Sequence, residues 1–272
     1  MIKTSITITT AAVMLLLLAG CSTTPEERRQ EELRREVIRE IQYGRLLSKK
    51  ILTRYPLYRN ENATLYVNKV GKSVALFAGR PELEYHFAIL DTDAVNAFAA
   101  PGGYIYITKG ALKQMDNEAQ LAAVLAHEIG HVNNKHIMKQ LPPPRETGAT
   151  ALFSTLLVSQ GTLVSSALNE TVSSASDLLF KKGYMIQDEY EADRSAVNYL
   201  DATGYNQAAL VSFLQTIDTY KRSHSAIEVY HTHPPNADRI RHIQQYMNKQ
   251  NISTQNRALV TWRFQQNMKS IQ

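Results

Sequence analysis

The run Leu121-Ala122-Ala123-Val124-Leu125-Ala126-His127-Glu128-Ile129-Gly130-His131-Val132 constrains this chain more than any other stretch. Alanine and leucine are strong helix formers, so the polar side chains of the run ride on a helix and not in a loop. At about 100° per residue, His131 falls about 40° round the axis from His127 and one turn along, so both imidazoles can meet a single metal ion. Glu128 lies off that line, beside the ion, where a carboxylate can take a proton from water. Zinc suits the pair because it accepts imidazole nitrogen and prefers four ligands. Two surface histidines on an ordinary helix would share the spacing but not the apolar flanks.

Two imidazoles leave such a site short of protein ligands, so a third must come from elsewhere. A histidine six residues after His131, with a glycine between, is one known solution. Here Ile137 and Asn134 occupy those positions, and His136 is one residue short. His136 therefore reads as a supporting or surface histidine. The other solution is a carboxylate from a later helix, and Asp188-Glu189-Tyr190-Glu191-Ala192-Asp193 offers several. Glu189 and Asp193 stand one turn apart on one face: Glu189 can bind the ion while Asp193 accepts the free N–H of His127 and fixes its tautomer. On spacing alone a solvated acidic face is an equal alternative.

The remaining chain supplies a body for this site. With 272 residues and 44% hydrophobic content it can bury a sizeable core. Its formal charge of +5 comes from Lys and Arg interspersed with Asp and Glu, and no nucleic-acid module is recognisable, so nucleic acid is excluded as a partner. Lys3, the apolar run Ile6 to Leu18 and Leu18-Ala19-Gly20-Cys21 have the form of a lipoprotein signal. The strongly apolar part, Ala11 to Ala19, is far short of the roughly 20 residues a membrane span needs. Cys21 is the only cysteine, and once acylated it leaves no thiol for a disulfide or a nucleophile. Ser22 behind it fits outer-membrane sorting.

The expected organisation is a signal peptide over 1–20, a lipid-anchored tethering helix over 21–54, a catalytic domain over 55–250 and a polar, loosely packed tail over 251–272. Thr24-Pro25-Glu26-Glu27 reads as a capping box opening the tether. A second helix, about Asn62 to Phe77, would bury Leu65, Val70, Val74 and Phe77. Tyr85–Leu90, Val95–Ala99 and Tyr104–Thr108 read as short strands, which makes the class α+β. Asn96, Ala97 and Phe98 are candidates for an edge strand that holds extended substrate, with an internal strand as the alternative. The metal helix, capped by Asp116 or Asn117, is expected to run to about Gln140. The uncharged stretch 147–169 reads as helices lying over the cleft, or touching a membrane or partner, more than as a span. Helices over about 186–200 and 206–220, and one capped by Asn236, complete the chain.

The His127 to His131 motif, Glu189 to Asp193, Asn96-Ala97-Phe98-Ala99 before Pro101-Gly102-Gly103, and Thr232-His233-Pro234 leading to Arg239 together resemble the signatures of the HtpX/Oma-type and CAAX-prenyl-protease-type zinc metalloproteases, a gluzincin group. The similarity is strongest to its bacterial lipoprotein and periplasmic members. It implies a mostly helical zincin domain with a small three-stranded sheet beside the metal helix. It implies one Zn2+ per chain on His127, His131 and Glu189, with Glu128 as general base and Asp193 as orienting partner. His233 would sit at the cleft as a switchable fourth ligand or transition-state donor, and Arg239 would pair with acidic groups. The membrane spans of integral members are absent and a lipid on Cys21 replaces them, so prenylated substrates do not carry over. The expectation is an envelope endopeptidase at the periplasmic face of the bacterial outer membrane, cutting misfolded or stalled proteins near the outer-membrane assembly machinery. The rival is a metal-holding, chaperone-like lipoprotein whose proteolysis is latent because His233 closes the zinc.

Overall fold

Helix α1 (Pro25–Arg54) opens with the expected reciprocal cap: the Thr24 N–H donates to the Glu27 carboxylate at 2.7 Å, and the Glu27 N–H donates to the Thr24 hydroxyl at 3.2 Å. The computed structural model describes residues 24–141, 166–223, 233 and 235–271. The expected signal segment with Cys21, the prolines at 142–144 and the uncharged stretch as far as residue 165 lie outside the described residues. Within α1 the chain divides into two compact units, Met1–Arg39 and Glu40–Gln272. The expected end of the tether at residue 54 does not coincide with that division. Tyr43, Leu47 and Ile51, four residues apart, are buried in the second unit. Gly44 lies among them because a Cβ there would fall 1.8 Å from the Pro101 carbonyl oxygen.

Asn60 caps α2 (Glu61–Ala75), its side chain accepting from the Ala63 N–H at 2.9 Å. The buried stripe runs Ala63, Tyr66, Val67, Val70, Gly71, Val74, the spacing of one helix face. Leu65 is off that stripe and Phe77 lies past the helix end, so both are half exposed where burial was expected.

Strands β1 (His86–Leu90), β2 (Ala97–Ala100) and β3 (Tyr104–Thr108) form one sheet in the order β1-β3-β2. The outer strands flank β3, parallel through Phe87 opposite Ile105 and antiparallel through Phe98 opposite Tyr106. Among the described residues strand β2 is therefore an edge. Among the described residues the rest is helical: α3 (Lys109–Lys113), α4 (Glu118–Asn133), α5 (His136–Gln140), α6 (Ser166–Asp177) running into a wide turn at Leu178–Lys182, α7 (Ile186–Thr203), α8 (Ala209–Ser223), α9 (Asn236–Lys249) and α10 (Thr261–Met268). No described helix is long and apolar enough to cross a membrane.

Two expectations are corrected here. The metal helix α4 does not continue to Gln140: Lys135 adopts a left-handed conformation (φ 53°), and α5 starts afresh behind it. That break turns His136 back toward α4 and buries it completely, so it is no surface histidine. The tail is not loosely packed either. Ala258 exchanges main-chain hydrogen bonds with Gly204 and Asn206, and the Ala119 N–H at the start of α4 donates to the Leu259 carbonyl. Phe264, Met268 and Ile271 are buried, while Trp262 stays 64% exposed. The reason is Glu118, the first residue of α4 and wholly buried, which accepts from the Tyr66 and Tyr205 hydroxyls at 2.5 Å each and from Arg263 Nε at 2.6 Å. A buried carboxylate needs these partners, and only the tail supplies the cation.

Truncating Phe264→Ala is expected to cost about 3–5 kcal/mol in urea unfolding, and Trp262→Ala less than about 0.5 kcal/mol. Burial opposes the charge on Glu118, but Arg263 and the two tyrosines hold its pKa below the ordinary 4.5. The stability it contributes is complete above that ordinary value and is lost as pH falls through the lower folded one. Glu118→Gln should therefore flatten the acid limb of Tm against pH, measured by circular dichroism.

Candidate metal centre

Helices α4 and α7 cross in the core, and Gly130 sets how closely. A Cβ there would sit 3.1 Å from the Ala192 Cα and carbonyl oxygen, tighter than an ordinary contact, so glycine lets the second helix settle against the first. Ala192 itself is buried completely.

That approach brings Glu189 to the two histidines. His127 Nε2 and His131 Nε2 face each other at 3.0 Å, and they stand 3.5 and 3.6 Å from the Glu189 carboxylate oxygens. His233, from the loop before α9, places Nδ1 2.8 Å from Glu189 Oε1. One ligand atom from each of these four side chains lies within 4.8 Å of every other. Behind His127, Asp193 Oδ1 stands 2.9 Å from Nδ1. Arg239, 4% exposed, grips Asp193 through both oxygens, at 2.6 and 3.0 Å, and reaches Glu189 Oε2 at 3.5 Å.

The donor set fits a divalent cation. Glu189 Oε2 is buried and makes no hydrogen bond of good geometry; Arg239 and His127 reach it only at 3.5 Å, which leaves coordinating capacity on a carboxylate that is costly to bury unsatisfied. Glu128, Glu189 and Asp193 are all buried beside the buried Arg239, and the acids Glu189 and Asp193 face the imidazoles of α4. Imidazole and carboxylate are zinc ligands, and the two Nε2 atoms already point at a common centre.

Electrostatics separate the acids. Burial pushes the Glu128 carboxyl up, against the pull of His127 and His233, which suits a group that accepts and returns a proton. Burial also opposes the charge on Glu189 and Asp193, yet His233 and Arg239 draw Glu189 well down and Arg239 draws Asp193 down, so both remain anionic.

The cleft beside Glu128 is a cavity of about 90 Å³ that Asn96 and Ala97 line together with His127, His233 and Arg239. Apolar side chains of α8, among them Phe213, Leu214 and Ile217, close its far wall. Asn96 is 8% exposed; its Oδ1 accepts from the Ala97 N–H, and its Nδ2 has no partner. Phe98, the third expected substrate contact, does not line this cavity with its side chain. Its ring is turned into the core against Tyr55 and Phe180, because alternate residues of a strand face opposite ways. Only its main chain is available at the edge. Two residues escaped sequence reasoning. Tyr184 stacks on the His131 ring at 4.0 Å, with Gly183 before it as the only signal, and Glu191 contacts His136 at 3.1 Å.

Two imidazoles on one helix, a carboxylate from a second and a buried glutamate beside them define a metallopeptidase centre. The chain belongs to peptidase family M48, whose profile matches residues 61–247 and whose members are zinc-dependent metalloendopeptidases. It is 29% identical to the beta-barrel assembly-enhancing protease of Escherichia coli K12 over 201 residues, 72% of this chain and 41% of that protein. It is 26% identical to metalloprotease LoiP of the same organism over 70% of this chain and 71% of LoiP. It is 25% identical to the mitochondrial metalloendopeptidase OMA1 of Schizosaccharomyces pombe over 76% of this chain and 60% of that protein. The match thus spans about two fifths of the length of the beta-barrel assembly-enhancing protease.

If the seam between α4 and α7 positions Glu189, then Gly130→Val should cost about 1–3 kcal/mol by overpacking and lower zinc retention without touching a ligand. Atomic absorption after dialysis, alongside thermal unfolding, checks this.

Proposed function

We propose that this protein is a zinc-dependent endopeptidase of the bacterial cell envelope, holding one Zn2+ on His127, His131 and Glu189 and hydrolysing peptide bonds of misfolded or stalled envelope proteins. The observation that carries the reading is the meeting of those three side chains, their ligand atoms within 4.8 Å of one another, with the buried Glu128 alongside. Zinc, when bound, supplies a Lewis acid that polarises the scissile carbonyl and acidifies water. Glu128 takes the proton of the attacking water and returns it to the leaving amine, its raised pKa serving both transfers. Asp193, held by Arg239, keeps His127 in the tautomer that turns Nε2 toward the centre. The free edge of β2 pairs with an extended substrate, and the unpartnered Asn96 Nδ2 donates into the same cleft.

Placement at the periplasmic face of the outer membrane, anchored by lipid on Cys21, is supported by the lipobox pattern Leu18-Ala19-Gly20-Cys21 and Ser22. Action near outer-membrane protein assembly is supported by the similarity to the beta-barrel assembly-enhancing protease. Purified Glu128→Gln is expected to retain zinc yet lose casein cleavage by at least about a hundredfold, the loss typical of removing a general base. Full cleavage by the zinc-loaded variant would refute the mechanism. Removing zinc with 1,10-phenanthroline should abolish cleavage, and added zinc should restore it.

A second reading rests on His233, whose Nδ1 lies within the four-residue ligand cluster. As a fourth ligand it would fill the position that water needs and leave a latent, chaperone-like lipoprotein. In that state His233→Ala raises casein cleavage; a zinc-loaded but inactive His233→Ala favours a role for His233 in the reaction itself.

A further inference from the structure

Beside the metal centre lies a second set of polar groups with no assigned role. His136, wholly buried, sits with Nδ1 2.8 Å from His131 Nδ1 and Nε2 3.1 Å from Glu191 Oε2 and 3.8 Å from Asp188 Oδ1. Asp188 and Glu191 stand three residues apart on α7, on a different face from Glu189 and Asp193, and Gln140 Nε2 steadies Asp188 at 2.7 Å. One histidine and two carboxylates would also suit a second cation, since their ligand atoms lie within 4.8 Å of one another.

Proton accounting decides between these uses. On the zinc reading above, His131 coordinates through Nε2, so its Nδ1 carries the proton and must donate. A 2.8 Å contact between two ring nitrogens permits one proton, not two, so His136 Nδ1 must be bare. Neutral His136 then carries its proton on Nε2, which points at Glu191 and Asp188. A ring protonated there has no lone pair left for a second cation.

We propose that His136 is a positioning residue for the metal centre. It accepts the Nδ1–H of His131 and passes its own Nε2–H to the Glu191 and Asp188 carboxylates, so that His131 is locked in the tautomer that offers Nε2 to zinc. The arrangement parallels the support of His127 by Asp193 and Arg239, with an imidazole inserted between ligand and carboxylate. Tyr184, stacked on the other face of His131 at 4.0 Å, holds the plane of the ring.

The proposal rests on the zinc-ligand reading, and the test separates the two. Zinc affinity of the full chain is measured by competition with a chromophoric chelator for wild type, His131→Ala, His136→Phe and His136→Asn. Phenylalanine fills the space with no acceptor, whereas the asparagine oxygen can take the place of Nδ1. His136→Phe should lose about 10–100-fold in zinc affinity, with His136→Asn within about threefold of wild type and the metal-free melting temperatures of both variants alike. Equal loss in both variants, or none in His136→Phe, overturns the proposal. Unchanged affinity in His131→Ala overturns the ligand reading instead. Should His136→Phe not fold, nitrogen-15 NMR of zinc-loaded wild type decides: a bare Nδ1 and protonated Nε2 on His136 support the relay, and the reverse sinks it. A second zinc per chain, lost on Asp188→Asn, would also overturn it.

Discussion

Three carboxylates buried around one guanidinium are the constraint on which this molecule is built. Glu128, Glu189 and Asp193 are each 2% exposed or less, and Arg239 is 4% exposed. Taking charges out of water costs several kcal/mol per ion, and Arg239 answers chiefly Asp193. The imidazoles His127, His131 and His233 stand against the acids that remain, and the cluster has the composition of a site for a divalent cation. The packing of α4 against α7 and the ligand cluster are therefore one feature: the acids of α7 face the imidazoles of α4 across a seam that Gly130 keeps close.

The surrounding architecture holds that seam in register. Gly130 lets the backbones approach, Asn117 caps the start of α4, and Glu118 ties the same turn to Tyr66 of α2, to Tyr205 and to Arg263 of the tail. The C-terminal residues thus reach the metal centre indirectly, by fixing the end of the helix that carries both histidines. Each histidine has its own backing: a carboxylate gripped by Arg239 behind His127, and His136 with its acidic neighbours behind His131. Two differently built supports let the rings turn to one point from successive turns of one helix.

Local periodicity is readable where one element decides the outcome. The start of the helix that carries His127 and His131, the capping box at Thr24 and the three strands all depend on residues close in sequence, and the structure places them with shifts of one or two residues. The edge position of β2 was open, because strand order is a property of the sheet and not of the strand. Leu65 and Phe77 were misplaced for a related reason: hydrophobicity says that a side chain prefers burial, but the neighbouring elements choose which face is covered. The tail looked loose because its apolar residues are few, and its anchor, Glu118, lies 145 residues from Arg263.

By itself the sequence determined the family of this protein: helix period places two imidazoles on one line, acidic spacing offers a carboxylate pair on another helix, and the family M48 match covers both. Tertiary structure decided between an acidic face turned to solvent and one turned to the histidines, and it alone placed Glu191 against His136. Glu189 and Glu191 are equally acidic on paper, and helix rotation against Gly130 turns one to the metal site and the other to His136. Only the break at Lys135 gives His136 its place behind His131, because a helix continuing unbroken to Gln140 would have carried that ring onward along its own spiral.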